Sequence, residues 1–211
     1  MNAIRQPSKE KSRQLFEVAD SQRGYFTARQ AIETGFSSRM QTYHVQNGDW
    51  EREWRGVYRL ANYPGEFDDY MLWYLWSADQ TGAPQGVYSH DTALRLHGLS
   101  TWSGSSKKHM TVPFGFRRQV VPKGISLHYA NLRPEDITVK TKFKLTQPLR
   151  TIVDLLVAGN VEEHHIWEAL QEGISRRIIL PKQIEDARLT DTERKLLLNS
   201  LAKATIFKSP A

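Results

Sequence analysis

Near its N-terminus the chain carries one start signal twice: Thr27 stands three residues before Gln30, and Ser38 three residues before Gln41. In that spacing a hydroxyl at a helix start accepts from the backbone N–H of the third helical residue, and the amide side chain returns to the cap. Gly35 lies between the two pairs, where a helix ends in a left-handed residue. Two short helices joined by a tight glycine turn are thus expected here. No other feature restricts the fold as much.

The flanking residues extend the pattern. A first helix is predicted from Ser8 to Ser21, with Leu15, Phe16, Val18 and Ala19 as its apolar stripe. Gly24 breaks it, and Tyr25-Phe26 reads as a brief extended piece. Ala28, Ala31 and Ile32 supply the buried face of the second helix. The third helix is predicted from Ser38 to about Asn47, stopped by Gly48. Met40 and Tyr43 are expected to face the core, and His44 suits either side. Trp50–Trp54 and Val57–Leu60 then flank Arg55-Gly56, a hairpin signal. Helix, helix, turn, helix and hairpin is the order of a winged helix-turn-helix.

Asn62-Tyr63-Pro64-Gly65-Glu66 punctuates the chain, and its character turns from basic to acidic and aromatic there. The expected organisation is a winged helix-turn-helix over residues 1–62 and a larger α+β domain over residues 67–211. In the latter, helices are predicted over Phe67–Gln80, Ser89–Leu96, Pro148–Leu156, about Val161–Gln171 and Thr190–Leu201. Strand-like pieces are His109–Val112, Ile125–Tyr129 and Ile137–Val139.

Charge is distributed unevenly. The net charge is +6, and the isoelectric point is about 9.5, which favours an anionic partner. Lys and Arg outnumber Asp and Glu by 10 to 7 in residues 1–62 and by 10 to 2 in residues 101–150. Between them, residues 63–100 hold 1 basic against 5 acidic residues, so the positive charge has two separate centres.

In a winged helix-turn-helix the third helix enters the major groove, its N-terminal residues reach base edges, and its dipole favours phosphate. Ser37, Ser38, Arg39, Gln41, Thr42 and Gln46 are the candidates there. Arg bridges two guanine acceptors, Gln pairs with adenine, and Ser or Thr holds phosphate. Arg52 and Arg55 are the candidates on the hairpin, where a wing meets backbone or minor groove. The competing reading is a solvated polar face, or a winged helix that binds protein.

The second basic centre offers Lys107, Lys108, Arg117, Arg118, Lys140, Lys142 and Lys144 as an anion or partner surface. Lys140, Lys142 and Lys144 alternate, so a strand there would show all three on one face. Edge protection is the plain alternative for these three. Candidate anions are further operator DNA, RNA or an acidic patch on a protein partner.

Enzyme chemistry finds little purchase. No cysteine is present, which removes disulfides, thiolate zinc sites and cysteine nucleophiles. His90 and His97 stand seven apart, whereas metal-binding pairs on a helix stand four apart, so a capping His90 and a packed His97 are expected. Adjacent residues in Glu162-Glu163-His164-His165 point apart on a helix. Asp186, Glu193 and Lys195 have nuclease-like spacing, but the last two fall on a predicted helix rather than a strand. Gly104-Ser105-Ser106 resembles the start of a nucleotidyltransferase signature, yet Lys107 and Lys108 follow where aspartates belong. Arg150 and Asp154 read as a structural pair, either on the helix surface or holding the basic β region. No catalytic residue, metal ligand or cofactor is assigned. No apolar run approaches the roughly 18 residues of a membrane helix. Residues 1–14 are polar and charged, so a cytoplasmic protein with no membrane partner is expected.

Three blocks resemble a known family. They are Gly24–Ala31 with Gly35-Phe36-Ser37, Gly48–Arg52 and Arg55–Leu60; Tyr88–Leu99; and Pro148–Leu156. Their order and spacing resemble the AbiEi antitoxins of type IV toxin–antitoxin systems, linked to abortive phage infection. The resemblance implies a repressor that binds its own operator DNA through the winged helix. It also implies a C-terminal domain that counteracts a nucleotidyltransferase-like toxin without requiring a stable complex. A stand-alone regulator, or a protein-interaction module with no toxin, is the alternative.

Overall fold

The computed structural model describes residues 8–99, 104–118, 120–140 and 142–206. The chain is α+β and divides into two compact units. One reaches Gly86 and takes in Phe143; the other begins at Val87.

The N-terminal unit opens with α1 (Ser8–Ser21), β1 (Tyr25–Thr27), α2 (Ala28–Glu33) and α3 (Ser38–Gln46). The hairpin β2 (Trp50–Trp54) and β3 (Val57–Leu60) and the helix α4 (Asp69–Trp76) follow. The strands form an antiparallel sheet in the order β1-β3-β2, with Phe26 opposite Tyr58 and Trp50 opposite Leu60. Leu15, Ala19, Phe26, Ala31, Phe36, Trp50 and Tyr58 make its core. The aromatic members interlock: Phe26 meets Trp50 edge-on at 4.8 Å, and Phe36 meets the same indole at 5.2 Å. Ile32, expected in this core, is exposed, and Phe36 from beyond the turn occupies the core instead.

At Gly24, φ is +88°, and an added Cβ would lie 2.5 Å from the Tyr63 ring, so both backbone and space demand glycine. The unit runs past the expected joint at Pro64-Gly65. Helix α4 packs on this sheet, with Trp54 edge-on to Trp73 at 5.4 Å and the Asp68 backbone N–H donating to Tyr25 Oη at 3.1 Å. The helix is shorter than the expected Phe67–Gln80. Beyond Ser77, the Asp79 carboxylate accepts from the N–H groups of Thr81 and Ala83 and builds a turn.

The C-terminal unit contains β4 (Val87–Tyr88), α5 (His90–His97), β5 (Lys108–Val112) and β6 (Ile125–Tyr129). Next come β7 (Ile137–Lys140), β8 (Phe143–Thr146) and α6 (Pro148–Ala158). Helices α7 (Glu163–Ser175), α8 (Pro181–Asp186) and α9 (Asp191–Ile206) complete it. The sheet order is β6-β5-β4-β8-β7, with β5 parallel to β6, and β4 antiparallel to β5 but parallel to β8. Leu94, Leu99, Ile152, Leu155, Ile166, Leu170 and Leu197 pack helices α5, α6, α7 and α9 together. Arg150 pairs with Asp154 at 2.8 Å and lies 3.6 Å from Glu193 on α9. This structural pair therefore ties α6 to α9 rather than to the basic strands. Burial pushes the Asp154 carboxyl up to about 6 against the opposing pull of Arg150. No helix among the described residues is long and apolar enough to cross a membrane.

Candidate nucleic-acid interface

The helix-turn-helix is held by local hydrogen bonds. Thr27 Oγ1 accepts from the Gln30 N–H at 3.2 Å, while the Thr27 N–H donates to Gln30 Oε1 at 2.8 Å. This is the reciprocal cap its spacing predicts. Gly35 then takes φ +94°, and the Phe36 N–H donates to the Ala31 carbonyl at 2.8 Å. The second cap falls one residue earlier than expected. The Ser37 backbone is still extended, so its hydroxyl accepts from the Met40 N–H, and Ser38 becomes the first helical residue.

That cap sets the rotation of α3, and two expectations change. Gln41 is only 3% exposed, and its amide donates to the Ala28 carbonyl at 3.0 Å and to the Phe36 carbonyl at 3.2 Å. It is a polar brace under the turn, not a base reader. Conversely, Met40 and Tyr43 face outward, with Tyr43 61% exposed. His44 stacks on the Trp50 indole at 4.8 Å and hydrogen-bonds Asp49 through Nδ1 at 2.8 Å. That hydrogen bond, helped by one from Asn47, holds the Asp49 carboxyl below its ordinary range. His44 thus anchors the inner face.

The outer face of α3 presents Ser38, Arg39, Met40, Thr42, Tyr43 and Gln46. Arg39, Thr42, Tyr43 and Gln46 follow i, i+3, i+4, i+7 spacing and form one stripe. The first turn of α3 holds no acid, so nothing there offsets the positive end of the helix dipole. A helix with its side chains is about 10–12 Å across, and the major groove is about 12 Å wide. On the hairpin, Arg52 is exposed in β2, and exposed Arg55 stands at the turn beside Gly56, whose φ is +81°.

Pairing separates these three from the unit's other described arginines. Arg13 pairs with Glu10 and Glu17, Arg23 with Asp68, Arg29 with Glu33, and Arg59 with Glu51. Arg39, Arg52 and Arg55 have no carboxylate partner among the described residues.

The second basic centre is arranged differently. Lys107 precedes β5 and Lys108 opens it, while Arg117 and Arg118 follow its far end. Arg117 donates to the carbonyls of Phe114 and Phe116. Lys140 closes β7 and donates to the Leu96 carbonyl; Lys142 stands in the turn at φ +81°; Lys144 lies in β8. The turn breaks the alternation, so the three lysines do not share one strand face. Arg133 chelates Asp136, at 3.0 Å from Nε and 3.2 Å from Nη2. Glu193 and Lys195 lie on α9, as the helical reading of the nuclease-like spacing expects.

Among curated proteins none matches this sequence significantly. The crystal structure of the RV2827C protein from Mycobacterium tuberculosis matches with a TM-score of 0.51 and 15% identity, over 96% of this chain and 75% of that one. At that identity the likeness concerns the fold. Residues 13–61, which hold the helix-turn-helix and the hairpin, match the family model described as transcriptional regulator, AbiEi antitoxin.

Proposed function

We propose that this chain represses its own operon by seating α3 in the major groove of operator DNA, with the β2–β3 hairpin on the adjacent backbone. The observation that carries this reading is the stripe Arg39, Thr42, Tyr43, Gln46 on a helix whose opposite face is locked to Trp50. Arg39 reads a base edge, Ser37, Ser38 and Thr42 hold phosphate, Gln46 contacts a base, and Arg52 and Arg55 hold the wing on the backbone. The AbiEi match over residues 13–61 supports the regulator role and extends the reading to an antitoxin. In it, the C-terminal unit counteracts a nucleotidyltransferase-like toxin, and Lys107, Lys108, Arg117, Arg118, Lys140, Lys142 and Lys144 supply contacts to an anionic partner.

DNA from upstream of the gene, compared with random DNA across a salt series, tests the repressor reading. Preferential binding that falls steeply with salt is expected, and equal binding to both sequences refutes it. Co-expression with the adjacent gene product tests the antitoxin role. Toxicity that this chain does not relieve refutes that half. Exposed Met40 and Tyr43 favour one rival, a protein-docking face on the same helix. That rival requires no DNA affinity and a loss of partner binding in Tyr43→Ala.

A further inference from the structure

Three histidines far apart in sequence meet in the C-terminal unit. His109 on β5 and His128 on β6 point to the same face, because β5 and β6 pair in parallel with Thr111 opposite His128. His90 begins α5, which lies over β5. The start of that helix is fastened to the strand: the His109 N–H donates to Thr92 Oγ1 at 2.8 Å, and Thr111 Oγ1 donates to Ser89 Oγ at 2.8 Å. The three imidazoles each offer a nitrogen within 4.8 Å of the others, and they are the one such His or carboxylate group among the described residues.

From this arrangement we infer a binding site for a zinc-class divalent cation held by His90, His109 and His128. Four features of the surroundings support it. His109 Nδ1 faces His128 Nε2 at 2.8 Å, so the other ring nitrogen of His109 remains for an orienting partner. Asp91 supplies one: its Oδ1 lies 3.5 Å from His109 Nε2, the residue is 2% exposed, and that oxygen has no hydrogen-bond partner. Its other oxygen accepts from the Ser105 N–H at 2.6 Å, which fixes the carboxylate. A buried carboxylate behind an imidazole is the arrangement that orients histidine on a metal. His90 is oriented in the same sense, its Nδ1 lying 3.0 Å from Ser89 Oγ, which leaves Nε2 to the cation.

Backbone and space agree. His90 has φ +53°, a region that side chains other than glycine rarely adopt. A cavity of about 200 Å³ opens beside two of the three, His90 and His109, and is lined also by Asp91, Ser105 and Asn160, so a fourth, non-protein ligand has room. Zinc binds nitrogen at about 2.0–2.1 Å, which sets tetrahedral donors roughly 3.3 Å apart. The 2.8 Å pair therefore opens by about half an ångström on binding, and the His90 and His128 rings, stacked at 3.6 Å, splay.

The site does not depend on the DNA-binding reading. Chelator-treated, untagged full-length protein is titrated with Zn²⁺ in a calorimeter and with Co²⁺ in a spectrophotometer. The expected result is one equivalent bound, with the visible absorption of tetrahedral Co²⁺. His109→Gln and His128→Gln each weaken binding by about 10–100-fold or more, and Asp91→Asn by about 10-fold. His164→Gln, an exposed position on α7, leaves binding unchanged. Circular dichroism establishes which variants remain folded, and the two strand variants provide independent tests. The proposal fails if the wild-type protein binds no stoichiometric cation. It also fails if folded His109→Gln or His128→Gln binds as the wild type does, which would make the trio a hydrogen-bonded core and nothing more.

Discussion

The two basic regions differ in what their cations already hold. Residues 101–150 carry the larger excess, 10 basic against 2 acidic residues. Yet Arg133 chelates Asp136, Arg150 is bound to Asp154, and Arg117 and Lys140 donate to backbone carbonyls. On α3 and its hairpin there are three arginines, Arg39, Arg52 and Arg55, with no carboxylate partner among the described residues, on elements fixed by an aromatic core. A guanidinium already paired gains less from a phosphate, because its first interaction must be broken. For the proposed DNA contact, the number of basic residues therefore says less than their prior commitments do.

The strongest test of this contrast removes positive charge from one region and reverses it in the other. Arg39→Ala, Arg52→Ala and Arg55→Ala combined should lower operator affinity by about 3 kcal/mol or more. The same triple variant should flatten the salt dependence, with a slope loss of about 0.9 for each phosphate contact removed. Lys140→Glu, Lys142→Glu and Lys144→Glu combined should cost less operator affinity. A larger loss from the lysine set, by fluorescence anisotropy, breaks the comparison. If the lysine set alters neither operator affinity nor toxin neutralisation, the second surface has no partner.

Asp154 tests the commitment of Arg150. Its folded pKa, about 6, lies above its ordinary 3.8, so the folded state binds the extra proton and stability falls as pH rises through this window. Relative to Asp154→Asn, the wild type should lose up to about 3 kcal/mol between pH 4 and 7, read from urea denaturation. A flat difference would mean that Arg150 neutralises the carboxylate fully.

Smaller effects separate the two glutamines of α3. Gln41→Ala should destabilise the fold by about 1–3 kcal/mol, since it strips donors from two carbonyls under the turn. Gln46→Ala should alter DNA affinity and leave the thermal midpoint in place. Smallest of all, Met40→Ala and Tyr43→Ala should each shift stability by less than about 0.5 kcal/mol, as exposed positions do. A cooperative loss of fold in either would return them to the core.

Much of the N-terminal unit is legible in the sequence because its signals are local. The bounds of α1, β2 and β3, the reciprocal Thr27–Gln30 cap and the left-handed Gly35 all follow from residues at most four apart. The rotation of α3 was not legible. Gln41 is drawn inward by carbonyls 13 and 5 residues away, and a glutamine looks equally at home on either face. In the C-terminal unit, β4 has only two residues and β8 begins straight after a turn, so neither shows a period. The histidine cluster was invisible for the same reason: successive members are 19 residues apart, and the β5–β6 pairing and the packing of α5 on β5 unite them.

By itself the sequence determined the order helix, turn, helix, wing, and the charge available to it, because capping and alternation act between near neighbours. Tertiary structure decided which side chains face outward, which cations are free, and which imidazoles meet. Those outcomes depend on hydrogen bonds and packing closed between distant segments, and no local pattern encodes them.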